Sequence, residues 1–411
     1  LRALYRTAPA PVRTAVGAAA TAIVHGFGRV RGAMARGGLG GAPVCVLGLH
    51  RSTIGLGRGA RLFRAALEAD GIATSAIDVS AHYAHDVTLP LDVGDVRAAR
   101  AMVAHLNPVE LVHAVATLAG PRPRKGLRVG YWAWETETPP ENWAQGFDVV
   151  DEVWCPSAFT AAAIERLGRG RAPVRVVPHP ASPVRGARDR ARFGFRSDEV
   201  MILSACDLLS SAARKNPMGA IEAFRRAGRG RGGAARLLLK VSGGAHDPVA
   251  LASLEAAAAA TQGVTLMTER LDEQGMADLI ASVDIVLSPH RSEGFGLLPA
   301  EAMACGLPVI ATGWSGNLDF MDADCAALLD WKPVAIVDPK GNYRAGVWAD
   351  PDLDQAADWI ARLVDDADLR AGLGARARAR MTAFNDPGVW LSRVRPWLGL
   401  PAKPQAEVSS A

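Results

Sequence analysis

From Pro43 onward, short runs rich in β-branched residues alternate with stretches of helical period, and the alternation runs through the chain twice. Strands separated by crossing helices pair in parallel and are covered on both faces, so this order commits the chain to an α/β fold with parallel sheets. The first series of strands is expected at 44–49, 73–79, 110–116, 128–132, 152–155 and 174–177. The second is expected at 200–205, 236–241, 264–267, 284–288, 308–312 and 327–331. Residues 178–198 read as a turn and short helix joining the two series, and past Asp350 the pattern turns helical at 353–365, 369–384 and 387–398. Ser157 suits the N-cap of a helix reaching Leu167, and Gly168 suits its stop. A chain of 411 residues exceeds one hydrophobic core and divides economically into two. The division expected is a basic extension at 1–41, Rossmann-like units at 42–180 and 181–385, and a closing helix and tail at 386–411.

Charge is distributed unevenly over this plan. Residues 1–67 hold ten arginines and no Asp or Glu, which leaves 36 basic and 42 acidic residues in 68–411. A mildly acidic body is not expected to bind nucleic acid. The apolar stretch 15–24, between Arg13 and Arg29, is too short and alanine-rich to span a bilayer. It reads as a surface helix or tail, with a basic arm resting on anionic lipid and a signal segment as the alternatives. Five cysteines without a C-x-x-C pair encode neither a zinc site nor a disulfide framework. A cytoplasmic location fits, with contact at the inner membrane face through 1–41.

Chemistry concentrates in Ser288-Pro-His-Arg-Ser-Glu-Gly-Phe-Gly-Leu-Leu-Pro-Ala-Glu-Ala-Met-Ala-Cys-Gly-Leu-Pro-Val-Ile-Ala-Thr312. An apolar strand ends at Ser288, a glycine-bearing loop follows, and a short helix begins near Leu298 or Pro299 and stops at Gly306. Open α/β sheets bind ligands at this place, outside the carboxyl ends of their strands. Gly294 and Gly296 let the backbone approach a ligand, and free amides at the helix start favour an anion such as a diphosphate. Glu293 in the loop and Glu301 in the first helical turn can each accept hydrogen bonds from a diol of a sugar or ribose. The plainer reading is that Glu301 is a charge favoured by a helix N-terminus and that the glycines form a turn.

Glu293 and Glu301 form a Glu-x7-Glu pair inside E-G-F-G-L-L-P-A-E-A-M-A-C-G-L-P-V-I-A-T, which resembles glycosyltransferase family 4, and the likeness extends over roughly 43–385. The resemblance implies a GT-B fold: two Rossmann-like domains whose parallel sheets face across a cleft, with C-terminal helices returning toward the N-terminal domain. It implies that Glu293 touches the transferred sugar, that Gly294, Phe295 and Gly296, followed by Leu297 and Leu298, meet sugar and phosphate, and that Glu301 grips the ribose diol. Asp207, followed by Arg214-Lys215-Asn216-Pro217 and the helix from Gly219 to Arg226, resembles the strand-loop-helix that carries cationic ligands of the diphosphate. Where the family usually has a glycine-arginine pair, this chain has Leu208, Leu209 and Ser210, so Arg214 is taken as the second positive charge beside Lys215. Thr268-Glu269-Arg270-Leu271 resembles the loop beside the nucleotide base, with a surface turn as the alternative. Gly55-Leu56-Gly57-Arg58-Gly59 fails the G-x-G-x-x-G spacing of a dinucleotide fingerprint. By resemblance it is the glycine loop that closes over donor phosphates and acceptor.

On the acceptor side, Tyr131-Trp132-Ala133-Trp134-Glu135, followed by Pro139-Pro140 and Trp143, puts aromatics at a strand end where they can stack on sugars; a buried aromatic cluster is the competing view. Many family members carry a histidine at this depth. Here Trp134-Glu135 stands, and Glu135 is the candidate replacement. His179 reads as structural, and Asn317, in Trp-Ser-Gly-Asn, either bonds substrate or caps a helix. The implied reaction is retaining, metal-independent transfer of a hexosyl group from a nucleotide diphosphate sugar to a glycan or lipid-linked acceptor, with Lys215, Glu293 and Arg214 as the catalytic group. No cofactor and no metal are expected, and the Asp-x-Asp pairs at 322/324 and 352/354 read as solvated. The alternatives are a sugar-nucleotide 2-epimerase of the same fold and a non-catalytic sugar-nucleotide binding protein.

Overall fold

The computed structural model describes residues 42–52, 54–83, 99–117, 126–180, 182 and 185–401. The expected basic extension and the end of the polar tail lie outside the described residues. The first series runs β1 (Val44–Gly48), α1 (Gly55–Ala69), β2 (Thr74–Asp78), β3 (Ala101–His105), α2 (Pro108–Thr117), β4 (Leu127–Tyr131), β5 (Glu152–Cys155), α3 (Ala158–Gly168) and β6 (Val174–Val176). Its strands pair in parallel in the order β2-β1-β3-β4-β5-β6. Every residue of β1, β3 and β5 is buried, as apolar strands covered on both faces require. Leu111, Trp132 and Phe147 fill one face and Phe63 and Trp154 the other.

One expected strand is wrong in kind. Residues 110–116 lie in α2, and the strand between β1 and β4 is β3. Leu111, Val112, Ala114 and Val115 are all buried, a spacing that suits one helix face, and Pro108 occupies the first helical position, where its missing amide costs nothing. Counting β-branched residues hid this periodicity, while the Ala-Met-Val-Ala of β3 shows little strand preference of its own.

The second series runs β7 (Val200–Asp207), α4 (Ala212–Lys215), α5 (Pro217–Ala227), β8 (Ala235–Ser242), α6 (Pro248–Ala259), β9 (Val264–Met267), α7 (Glu273–Ser282), β10 (Ile285–Ser288), α8 (Leu297–Ala304), β11 (Val309–Thr312) and β12 (Ala327–Leu329). These strands are again parallel, in the order β12-β11-β10-β7-β8-β9. An antiparallel hairpin follows, β13 (Trp331–Ala335) and β14 (Val347–Pro351), which the expected alternation does not include. Its Tyr343 and Trp348 are buried with Trp134 and Trp143 of the first series.

The chain ends in α9 (Leu353–Asp365), α10 (Ala367–Phe384) and α11 (Pro387–Trp397). In α11, Trp390 and Val394 join Val44, Phe63 and Trp154, and the Trp390 indole donates to Pro178 O at 2.9 Å. The last helix thus returns to the first sheet.

Two local expectations are corrected. The described residues between β6 and β7 form turns and no helix; Arg188 and Arg190 bind Asp284 and Arg192 binds Asp278, which pins this crossover to the second unit. Ser157 does cap α3, accepting from Thr160 N at 3.2 Å. Gly168 instead stays inside the helix, and the left-handed stop falls on Arg169 (φ 48°) and Gly170 (φ 77°).

Candidate functional site

β7 and β10 are neighbours at the centre of the second sheet, so the loops leaving their carboxyl ends share one rim. Beyond β7, Ser211 caps the short helix α4 by accepting from Arg214 N at 3.2 Å. Asn216 takes a left-handed conformation (φ 55°) between α4 and α5 and accepts from Gly219 N at 3.2 Å. Its amide donates to Pro289 O at 2.9 Å, tying this corner to the loop after β10. Glu293 in that loop accepts from Arg214 Nη1 at 3.1 Å and from Lys215 Nζ. Arg214 also donates to Ser292 O at 2.7 Å and to Ser210 Oγ at 3.1 Å. Glu293 and Arg214 are buried, whereas a quarter of the Lys215 side chain stays open to solvent. Burial alone would push the Glu293 carboxyl up, but Lys215 and Arg214 outweigh it and hold it at about 2. At neutral pH the rim therefore carries one carboxylate between two cations.

The Glu293 loop is seated from both sides. Glu293 N donates to Ser315 Oγ at 2.8 Å, and Gly316 N donates to Glu293 O at 2.9 Å. Ser315 holds φ at 79°, a strained conformation for a residue with a side chain. Gly294 O accepts from Ser157 Oγ at 2.6 Å, and Ser292 Oγ donates to Glu135 O, both on the first unit. A Cβ on Gly294 would lie 3.0 Å from Trp134 O, so the close seat needs glycine there. Gly296 (φ 98°) turns the chain into α8, whose first amides, at Leu297 and Leu298, have no helical acceptor. Phe295 is an anchor: it is buried 5.0 Å from Phe320 and 5.2 Å from the buried His179, ring centre to ring centre.

Glu301 sits in the second turn of α8, one turn later than expected, because the helix starts at Leu297. Its Oε1 lies 2.7 Å from Arg58 Nη2 on α1. Burial raises the Glu301 carboxyl, and Arg58 opposes the rise. One turn further along α1, Arg61 lies 2.6 Å from Glu273 of α7. Two ion pairs thus join the units here. Gly57 lets α1 begin hard against the loop after β1, since a Cβ would lie 2.3 Å from Leu49 O. A cavity of about 240 Å³ opens beside this seam, lined by Arg58, Asp207, Lys240, Arg270 and Leu271 among others. Asp207 ends β7 and accepts from Leu209 N at 2.9 Å.

On the other side of Arg214, Trp134 is buried in an aromatic cluster, 4.8 Å from Trp143 and 5.0 Å from Tyr343. Its indole donates to Thr136 Oγ1 at 2.8 Å. Glu135 accepts from the Tyr343 hydroxyl at 2.8 Å and lies 3.8 Å from Arg214 Nη2, whose guanidinium carbon is 5.9 Å from the Tyr343 ring centre. Asn317 is buried and caps no helix; its amide donates to Thr312 O at 3.0 Å.

Of the residues expected from the sequence, the structure brings Lys215, Arg214, Glu293 and Glu135 into one network and pairs Glu301 with Arg58 instead; Arg61, Glu273, Lys240 and Tyr343, and the side chain of Arg58, were not foreseen beside it. A lone lysine inside an apolar strand was a usable signal for Lys240. Nothing in the polar run around Tyr343 marks it.

A family model described as "Family 4 Glycosyltransferase in conflict systems" matches residues 158–385, more than half of the chain. Over 202 residues the chain is 30% identical to a D-inositol 3-phosphate glycosyltransferase of Mycobacteroides abscessus, covering 43% of this chain and 38% of that protein. Over 65 residues it is 38% identical to a GDP-mannose-dependent alpha-(1-6)-phosphatidylinositol dimannoside mannosyltransferase of Mycobacterium tuberculosis, covering 16% and 17%. The chain thus spans well under half the length of these relatives. Among solved structures, Anabaena Alr3699/HepE in complex with UDP-glucose superposes with a TM-score of 0.64 at 14% identity, over 87% of this chain and 99% of that one. Sucrose-phosphate synthase from Thermosynechococcus elongatus gives 0.61 at 17%, over 87% and 98%. At such identities the likeness is one of fold, and that fold is GT-B. The matched stretch includes Lys215, Glu293 and Glu301, and the chain belongs to the family 4 glycosyltransferases, in the group described from conflict systems.

Proposed function

We propose that this chain transfers a hexosyl group from a nucleotide diphosphate sugar to a glycan or lipid-linked acceptor, with retention of configuration and without a metal ion. The observation that carries the reading is the Glu293 carboxylate held between Arg214 and Lys215 beside the free amides of α8, on a rim closed by the other unit. Cleavage of the donor leaves negative charge on the departing phosphate while the anomeric carbon becomes cation-like, so fixed donors aimed at that phosphate are the main catalytic need. Lys215, Arg214 and the amides of Leu297 and Leu298 meet it, and Glu293 accepts from the sugar hydroxyls. The departing phosphate helps to take the acceptor proton, with Glu135 on the acceptor side.

In this reading residues 42–180 form the acceptor domain, 181–385 the donor domain and 386–411 the crossover helix and tail. The cavity takes the nucleoside, with Arg270 and Leu271 beside the base and Asp207 in its wall. Glu301 turns to the ribose diol and shares its carboxylate with Arg58. The named substrates of the two relatives, an inositol phosphate and a phosphatidylinositol dimannoside, support a polyol or lipid-linked acceptor here. Residues 1–41 are proposed to bring the chain to anionic membrane; among the described residues no helix is long and apolar enough to cross one.

The test is product analysis with UDP-, GDP-, ADP- and dTDP-sugars over an acceptor panel in the presence of EDTA. A glycoside that forms only with acceptor and keeps the donor's anomeric configuration by NMR is the expected product. An inverted product, or loss of activity in EDTA, would overturn the mechanism. An epimerised sugar released without acceptor would assign the chain to the 2-epimerases, and donor binding with no turnover would make it a binding protein.

A further inference from the structure

We infer that Lys240 and Asp207 together select the nucleotide base, favouring one that presents a carbonyl beside a ring N–H (uracil, thymine or guanine) over adenine and cytosine. The inference rests on the cavity being the nucleoside site. Lys240 interrupts the apolar strand β8, and its side chain is buried, at 4% exposure, yet lines the cavity. Among the described residues its one hydrogen bond is to the neighbouring Val241 O, at 3.3 Å. An ammonium has three donors and no acceptor, and burying it with donors unused is costly unless a ligand takes them. A buried cation that lines a cavity with donors unused is placed for a guest.

Asp207 stands on the adjacent strand. Ala205 is in register with Lys240 and Asp207 with Ser242, so both side chains serve the same rim. Burial lowers the Lys240 amine, and Asp207 is the first group to oppose that shift, which marks the two as electrostatic neighbours. A carboxylate offers only acceptors and an ammonium only donors. Uracil, thymine and guanine each present a carbonyl oxygen next to a ring N–H, which matches donor and acceptor in turn. The orientation proposed puts the protruding exocyclic group at the more deeply buried Lys240 and the ring edge at Asp207; adenine and cytosine, with an amino group next to a bare ring nitrogen, then turn amino hydrogens to the ammonium and a lone pair to the carboxylate. A site built to satisfy one such edge rejects the reversed one because its own buried groups are left unpaired.

The experiment is calorimetric titration of UDP, dTDP, GDP, ADP and CDP into the full chain in EDTA, with Lys240→Met and Asp207→Asn alongside. The tightest keto base is expected to bind at least about tenfold more tightly than ADP or CDP, a gap of ~1.4 kcal/mol. Lys240→Met, which fills the same space and removes a buried charge, narrows the gap to about threefold by weakening the keto bases. Asp207→Asn narrows it as well, because an amide can present either polarity. Equal binding of ADP and the keto nucleotides to the wild type, or an unchanged gap in both variants, would overturn the base assignment and leave the nucleotide site standing. No binding of any of the five to folded wild type would overturn both readings.

Discussion

Glu293 is buried with two cations, and the cost of desolvating it is offset only while both are present. Lys215→Ala leaves Arg214 alone against it and removes the cation still open to solvent. Glu293→Ala leaves Lys215 without its carboxylate and Arg214 with only Glu135, 3.8 Å away. Each change is expected to lower kcat/KM at least about tenfold, since a charged hydrogen bond contributes about 1.5 to 3 kcal/mol. Steady-state kinetics with purified donor measures this, and near-native rates would remove both residues from the site. These two residues were readable from the string around Glu293 and the Arg-Lys-Asn-Pro turn, because the chemistry is local to two loops that one sheet brings together. Arg58 was in plain view between two glycines and carried no signal, since its partner Glu301 belongs to the other unit and only the tertiary fold pairs them.

At the level of elements, the hairpin β13–β14 shapes the Glu135 side of the rim. Ser211 Oγ donates to Asp338 in the hairpin loop at 2.8 Å, and Lys340 donates to Leu208 O, so the loop is fastened over the turn that carries Arg214. Tyr343 then fills the space between Trp134 and Arg214. Tyr343→Ala should cost about 3 to 5 kcal/mol of stability, the usual range for emptying a buried aromatic site. Tyr343→Phe keeps the packing and frees Glu135 from its hydroxyl partner at a cost of about 1 kcal/mol. Urea unfolding separates the two; equal midpoints for Ala and wild type would show that the ring supports nothing. The helices after Asp350 and both halves of the strand alternation were readable because their apolar spacing is strong. α2 was misread because its valines outweighed period, and the hairpin was missed because an alternation of strand and helix does not anticipate an antiparallel pair, one that packs against both units.

Over the whole molecule, buried histidines make acid the vulnerable side. His179 and His290 are each lowered to about 4 by burial, and His50 and His105 are lowered by the same cause. The unfolded chain regains ordinary imidazoles near 6.5. Between those values unfolding takes up protons, so stability is full above about 6.5 and falls as the pH drops toward 4. Unfolding midpoints from pH 7 to 5 should decline accordingly, and His290→Asn should flatten the decline by about one proton; an unaltered slope would refute the assignment. The hairpin carries a kinetic consequence too. It springs from one half and is lodged among the tryptophans of the other, like a staple across a jaw. Prying the halves apart first means drawing two aromatic rings out of an apolar bed. In the proposed reaction, spent nucleotide should therefore leave by loosening at the start of α1, where Arg58 and Arg61 each clasp a carboxylate. Both clasps are largely buried, so salt screens them little; Arg61→Ala undoes one of them, so turnover limited by product escape should quicken in that variant, and an unchanged rate would place the exit elsewhere.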